Sequence, residues 1–262
     1  MKQQSLTQPW KVHRRTIRLD GYDHRVLSLR PHDRVRFATN QFHDTWHIVS
    51  DSHGGQLMGR LCWALAYQKQ PGTFILIDQP NIVPTPFEAD PSSPILIANT
   101  DLGRPSRQAV RQLKAMLPFA TRSEGTVKLA TFGLDAALSE ATDNWQWSDG
   151  WKSDRRASAA KVNGIVMLAG RGAVLKSWGR ALARIGRGMH LGTDYEYLAG
   201  GDGEVQIFRD FRLMVRLSGE LRDVKFPGRG HEELKPTERD RIYALRDERE
   251  KRLRAEWAKR AG

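Results

Sequence analysis

Cysteine is almost absent from this chain: Cys62 is the only one in 262 residues. A single thiol excludes an internal disulfide and a zinc ribbon. Its place in the apolar run LMGRLCWALAY marks it as a core residue. No stretch reaches the ~18 consecutive apolar residues of a membrane helix. The opening MKQQSLTQPW has no apolar h-region, so no secretory signal is expected and the chain reads as cytoplasmic. Two common chemical signatures are missing as well. There is no G-x-x-x-x-G-K-[ST] and no G-x-S-x-G, and Gly170-Arg171-Gly172 is too short to define a phosphate loop. Internal repeats are also lacking.

What the chain does have is positive charge, +12 at neutral pH. The excess sits in residues 1–40 and 151–200, while residues 41–100 are net acidic. A charged fraction of 27% beside 39% hydrophobic residues fits a folded protein. Net charge of this size speaks to association with polyanions rather than to fold.

Hydropathy patterning gives an α/β fold: a mixed sheet with packed helices, a β-rich N-terminal part and a charged C-terminal helix. VHRRTIRL, HRVLSL, RVRFAT and DTWHIV are short β runs separated by Asp20-Gly21, Pro31 and Asn40. A helix is expected over 55–68, then the buried strands TFILID and PILIANTD. Between these strands runs QPNIVPTPFEADPSS, residues 79–93, a proline-rich connection suited to a flap or docking arm. A strand at 127–133, helices at 106–117 and 172–187, and a hairpin about GGDG follow. The second hairpin arm is expected to run as one long strand, 205–217. Pro236, Thr237 and Asp240 open the last helix, which carries the i,i+4 pairs Asp247–Lys251, Glu248–Arg252, Glu250–Arg254 and Glu256–Arg260. Composition divides the chain into an α/β domain at 1–140, a basic α+β region at 141–235 that can belong to the same domain, and the charged helix at 236–262.

Three elements carry basic faces. On helix 106–117, Arg107, Arg111 and Lys114 cluster opposite Val110, Leu113, Met116 and Leu117. On helix 172–187, Lys176, Arg180, Arg184 and Arg187 lie opposite Val174, Leu175, Trp178, Leu182 and Ile185. On the strand at 205–217, Arg212 and Arg216 would share one face. Such rows suit phosphate contacts. Trp145, Trp147 and Trp151 precede Lys152, Arg155 and Arg156, a pattern open to base stacking or to anchoring a hairpin.

FHDTWHIVSDSHGG, residues 42–55, is the place where chemistry is concentrated. His43 and His47 would lie ~13 Å apart on a strand, too far to share one metal. Asp51 and His53 leave the strand tip together before Gly54-Gly55, where Asp51 or Ser52 can instead cap a helix. VSDSHGG resembles the first motif of the calcineurin-like metallophosphoesterases, in which a strand ends in Asp-x-His-Gly and both side chains bind a two-metal centre. The resemblance implies that Asp78, ending TFILID, and Asp101, ending PILIANTD, would complete the ligand set. Ile77 stands where that family has glycine, ANTD lacks the third motif's histidine, and only isolated His190 and His231 follow.

The first expectation is therefore a nucleic-acid-binding protein that needs no cofactor and has no assigned catalytic residue. The alternative is a metal-dependent phosphodiester hydrolase with Asp51, His53, Asp78 and Asp101 holding divalent cations. A further alternative is a non-catalytic subunit docking a protein partner through the C-terminal helix and loop 79–93.

Overall fold

The structure is a computed structural model, and it describes residues 9–119, 122–139, 157–187, 192–229 and 232–261. The tryptophan cluster at 145–151, His190 and His231 lie outside the described residues. Among the described residues eleven strands form two mixed sheets. The chain opens with β1 (Trp10–Leu19), β2 (Tyr22–Ser28), β3 (Phe37–Phe42) and β4 (Thr45–Ser50). Next come α1 (Ser52–Ala66), β5 (Thr73–Ile77), β6 (Ile95–Asn99), α2 (Arg107–Ala115), β7 (Gly125–Leu129) and α3 (Leu134–Ser139). The second half holds β8 (Ser158–Val162), β9 (Ile165–Gly170), α4 (Gly172–Arg184), β10 (Thr193–Leu198), β11 (Gly203–Phe208), α5 (Phe211–Lys225) and α6 (Pro236–Ala261).

The larger sheet runs β7-β1-β2-β5-β6-β9-β8 and the smaller β10-β11-β4-β3, so each takes strands from both sides of residues 140–155. Local chemistry sets the hairpins. Asp20 and Gly21 both take positive φ, which is what a tight β1–β2 turn demands. The β3–β4 turn falls at His43-Asp44, also at positive φ, and β3 runs through Asn40 instead of breaking there. β5, β6 and β9 are buried at every position, as strands covered on both faces must be.

The inner faces of both sheets share one core with α1 and α4, through residues such as Ile75, Ile97, Ile48, Ile207, Leu61 and Leu182. Phe74, Leu76, Leu96 and Met167 point the other way, onto Val110 and Leu113 of α2. Ala38 and Val49 on the outer face of the smaller sheet meet Phe211 of α5 and Phe87 of loop 79–93. Cys62 lies wholly within the central core, where burial pushes its thiol up to about 12. It is a packing residue, as the sequence indicates.

α1 and α4 pack antiparallel: Gly55 faces Ile185, Gly59 faces Ala183, and Tyr67 lies beside Lys176. A Cβ on Gly59 would stand 2.5 Å from the Ala183 nitrogen and 2.8 Å from the Gly179 oxygen. Glycine at this crossing is what allows the two backbones to touch.

Two expectations fail here. The strand at 205–217 stops at Phe208, and residues 211–225 form α5. Phe211, Met214, Leu217, Ser218 and Arg222 are its buried positions, a helical spacing that overlaps an alternating pattern over the first few residues. Loop 79–93 is likewise no free arm. Asn81, Ile82, Thr85, Ala89 and Asp90 are buried. Its carbonyls at Pro86 and Phe87 accept from Ser218 Oγ at 2.7 and 3.1 Å. Asp90 binds Arg222 of α5 at 2.8 Å and Arg239 of α6 at 2.5 Å.

The C-terminal helix begins at Pro236 as expected, but Glu238, not Asp240, reaches back to the Lys235 N–H at 2.8 Å. The pairs Asp247–Lys251, Glu248–Arg252 and Glu250–Arg254 all form. Ile242 is fully buried, so α6 docks on the body through the front of its apolar stripe.

Candidate functional site

Parallel strand pairs leave both C-terminal ends on the same side, and where the chain then departs to opposite faces a crevice results. Among the described residues three strand pairs are parallel; two of them lead into helices on opposite faces, while the third, β2–β5, leads into loops. In the smaller sheet β4 and β11 are parallel, with α1 leaving toward the inner core and α5 toward the outer face. In the larger sheet β6 and β9 are parallel, with α2 and α4 leaving to opposite faces.

Asp51 sits at the first junction. One carboxylate oxygen accepts from the Gly54 N–H at 2.9 Å and so caps α1. The other accepts from Arg212 Nε at 3.1 Å, while Arg212 Nη2 donates to the Arg34 carbonyl at 2.9 Å. His53 is exposed, its ring 5.8 Å from that of Trp10. Asp101 sits at the second junction and does for α4 what Asp51 does for α1. It accepts from the Gly172 N–H at 2.9 Å and from Arg171 Nε at 3.0 Å.

Asp78 is elsewhere. It ends β5 on the α2 side of the sheet, buried, with its carboxyl pushed up to about 6 by burial and pulled back by Arg15. β5 and β6 are antiparallel, with Ile77 opposite Ile95 and Phe74 opposite Ala98. Asp78 falls in register with residue 94, five residues from Asn99 at the other end of β6, so Asp78 and the strand end that leads into Asp101 are ~16 Å apart along the strand direction at ~3.3 Å per residue. A two-metal centre holds its ions only about 3.5–4 Å apart. Among the described residues no group of three or more His, Cys, Asp or Glu is gathered as a metal would require. Asp51, His53, Asp78 and Asp101 are not brought together, and the Asp-x-His-Gly stretch is a capped strand-to-helix turn.

The basic rows are also divided. Arg107, Arg111 and Lys114 are exposed on α2, outside the larger sheet. Arg212 and Arg216 are exposed on α5, outside the smaller one, but Arg212 is paired with Asp51 and Arg216 with Glu220 at 3.9 Å. Among the described residues the α2 row has no carboxylate partner; the α4 row differs from it in that its cations crowd one another and one of them covers an aromatic ring. Arg180 and Arg187 are exposed, and Arg184 reaches the Leu138 carbonyl at 2.5 Å. Burial, and then the charges of Arg187 and Arg180, lower the pKa of Arg184. Lys176 lies 4.3 Å above the ring of Tyr67. Among the described residues no carboxylate pairs with any of these four.

The residues beside this row are ones that sequence reasoning passed over. Trp63 of α1 packs against Gly179 and lies 5.4 Å from the Tyr67 ring. Its indole N–H donates to the Phe132 carbonyl at 3.0 Å. β7 ends at Leu129, so Phe132 belongs to the turn before α3 and not to a strand. Tyr67 is 52% exposed and Phe132 84% exposed. The Phe132-Gly133 pair, with Gly133 at φ +79°, was the available turn signal. Comparison with known protein families, curated proteins and solved structures gave no match.

Proposed function

We propose that the protein binds a polyanion, nucleic acid first among them, along the outer face of α4. The observation that carries this reading is the row Lys176, Arg180, Arg184 and Arg187, in which cations face one another with no carboxylate among the described residues to neutralise them. A protein that keeps like charges together forgoes local stability unless a counter-charge arrives from outside. By contrast, the α5 row and Arg249 and Arg254 of α6 are taken up by internal pairs. Phosphates replacing condensed counterions would supply the missing charge and make binding salt-dependent.

Affinity for nucleic acid measured between about 50 and 200 mM salt tests this. Replacing both Arg180 and Arg187 by Glu should weaken binding and lower the log–log salt slope by about 2. The equal charge change Arg107→Glu with Arg111→Glu, on α2, should do much less. A flat salt dependence, or equal losses in the two double variants, would overturn the assignment to α4.

A further inference from the structure

We infer that the α4 surface takes single-stranded nucleic acid, with unpaired bases stacking on Phe132 and Tyr67 beside the cation row. This rests on the polyanion reading of α4 and specifies its ligand. Tyr67 stands half in solvent under the Lys176 ammonium, Phe132 stands in solvent on the same Trp63 support, and each is held in place from behind. The Phe132 carbonyl is fixed by the Trp63 indole at 3.0 Å, and the Leu134 N–H closes the turn onto the Thr131 carbonyl at 3.1 Å. Thr131 and Leu134 on either side are buried, so the backbone is anchored while the Phe132 ring projects.

Tyr67 stands at the end of α1, its ring beside Trp63 and under the Lys176 ammonium. Trp63 in turn packs with Leu134, Leu138 and Ala183, which ties α3, α1 and α4 into one support. Aromatic platform and cation row therefore belong to one rigid surface. Arg184, through its bond to the Leu138 carbonyl, ties α4 directly to α3.

The helix expected over 172–187 ends at Arg184, so Lys176 to Arg184 covers ~12 Å at ~1.5 Å per residue with Arg187 just past the helix end, enough for consecutive phosphates of one strand. Duplexes hide base faces in the stack, so exposed rings gain nothing from them. An unpaired strand offers a base face to each ring and phosphates to the arginines. Phe42, another exposed ring, at the β3–β4 turn, stacks on His43 instead, with ring centroids 4.0 Å apart.

The test is anisotropy titration with matched single-stranded DNA, single-stranded RNA and duplex DNA. Single strands should bind more tightly than duplex. Phe132→Ala should weaken single-strand binding about 5- to 150-fold and leave duplex binding unchanged. Tyr67→Ala should act in the same direction, and Phe42→Ala should not. Phe132 is so exposed that its loss leaves the fold intact, which circular dichroism would verify. Which of the DNA and RNA arms binds more tightly identifies the sugar the site prefers. Equal affinity for single strand and duplex, or equal losses for both in Phe132→Ala, overturns this inference while leaving the polyanion reading standing. Absence of salt-dependent binding to all three probes overturns both.

Discussion

Replacing Asp90 by Ala should be the most costly single substitution in the α5–α6 region. The carboxylate is 6% exposed and the Arg222 it binds is 4% exposed. Arg222 Nη1 donates to Asp90 Oδ1 at 2.8 Å and to the Ala89 carbonyl at 3.0 Å, and its other nitrogen reaches the Glu232 carbonyl. The Leu234 N–H also donates to Asp90 Oδ1, at 3.2 Å. Truncating Asp90 leaves a buried guanidinium without a counter-charge, a change that costs about 3–5 kcal/mol. Arg239 contributes less, because at 39% side-chain exposure it can turn to water. Domains of this kind are stable by only about 5–15 kcal/mol, so about a fifth of the total or more is at stake. In urea the unfolding midpoint should fall by about 1–2 M. The double variant Asp90→Leu with Arg222→Met should lose less than the two single losses added together, because no unpaired charge remains. A loss below about 1 kcal/mol for Asp90→Ala, or strict additivity in the cycle, would refute the reasoning.

Two further tests probe the interior. Burial first, then the charge of Asp194, pushes the Glu196 carboxyl up to about 7 from its ordinary 4.5. With the folded pKa raised, the protonated form is favoured in the folded state. Stability should therefore decline as pH rises from about 4.5 to about 7. Glu196→Gln should flatten that decline in urea melts across the window, and an unchanged slope would count against it. Glu88, pushed up to about 7 chiefly by burial, should behave alike on Glu88→Gln. At the α1–α4 crossing, Gly59→Ala puts a methyl 2.5 Å from the Ala183 nitrogen and should cost about 1–3 kcal/mol despite the better helix former. Gly219→Ala on α5, with open space around it, should instead stabilise by about 0.5–1 kcal/mol. Thermal melts of the pair decide: equal effects would mean that propensity, not the crossing, governs both sites.

Much of this fold is legible one segment at a time. The unbroken apolar runs of β5, β6 and β9, the Asp20-Gly21 turn, the apolar faces of α2 and α4 and the i,i+4 pairs of α6 each depend on neighbours a few residues away. Such signals survive in the sequence because helix and strand periods and turn dihedrals are local properties. Where two periods overlap, as over Phe211 to Leu217, the local signal itself is ambiguous and only packing against Ala38 and Val49 selects the helix. Loop 79–93 looked like an arm because its proline content describes backbone stiffness, not the Asp90–Arg222 and Asp90–Arg239 pairs that bury it.

The candidate sites were decided at longer range still. Asp51, Asp78 and Asp101 each end a strand, which the sequence determines; that β5 and β6 run antiparallel, and that β4 belongs to another sheet, is what parts them. In the same way the sequence by itself determined the cation row of α4. Only the tertiary structure set it beside Tyr67 and Phe132, because the contact runs through a glycine crossing and the Trp63 indole, which join segments far apart along the chain.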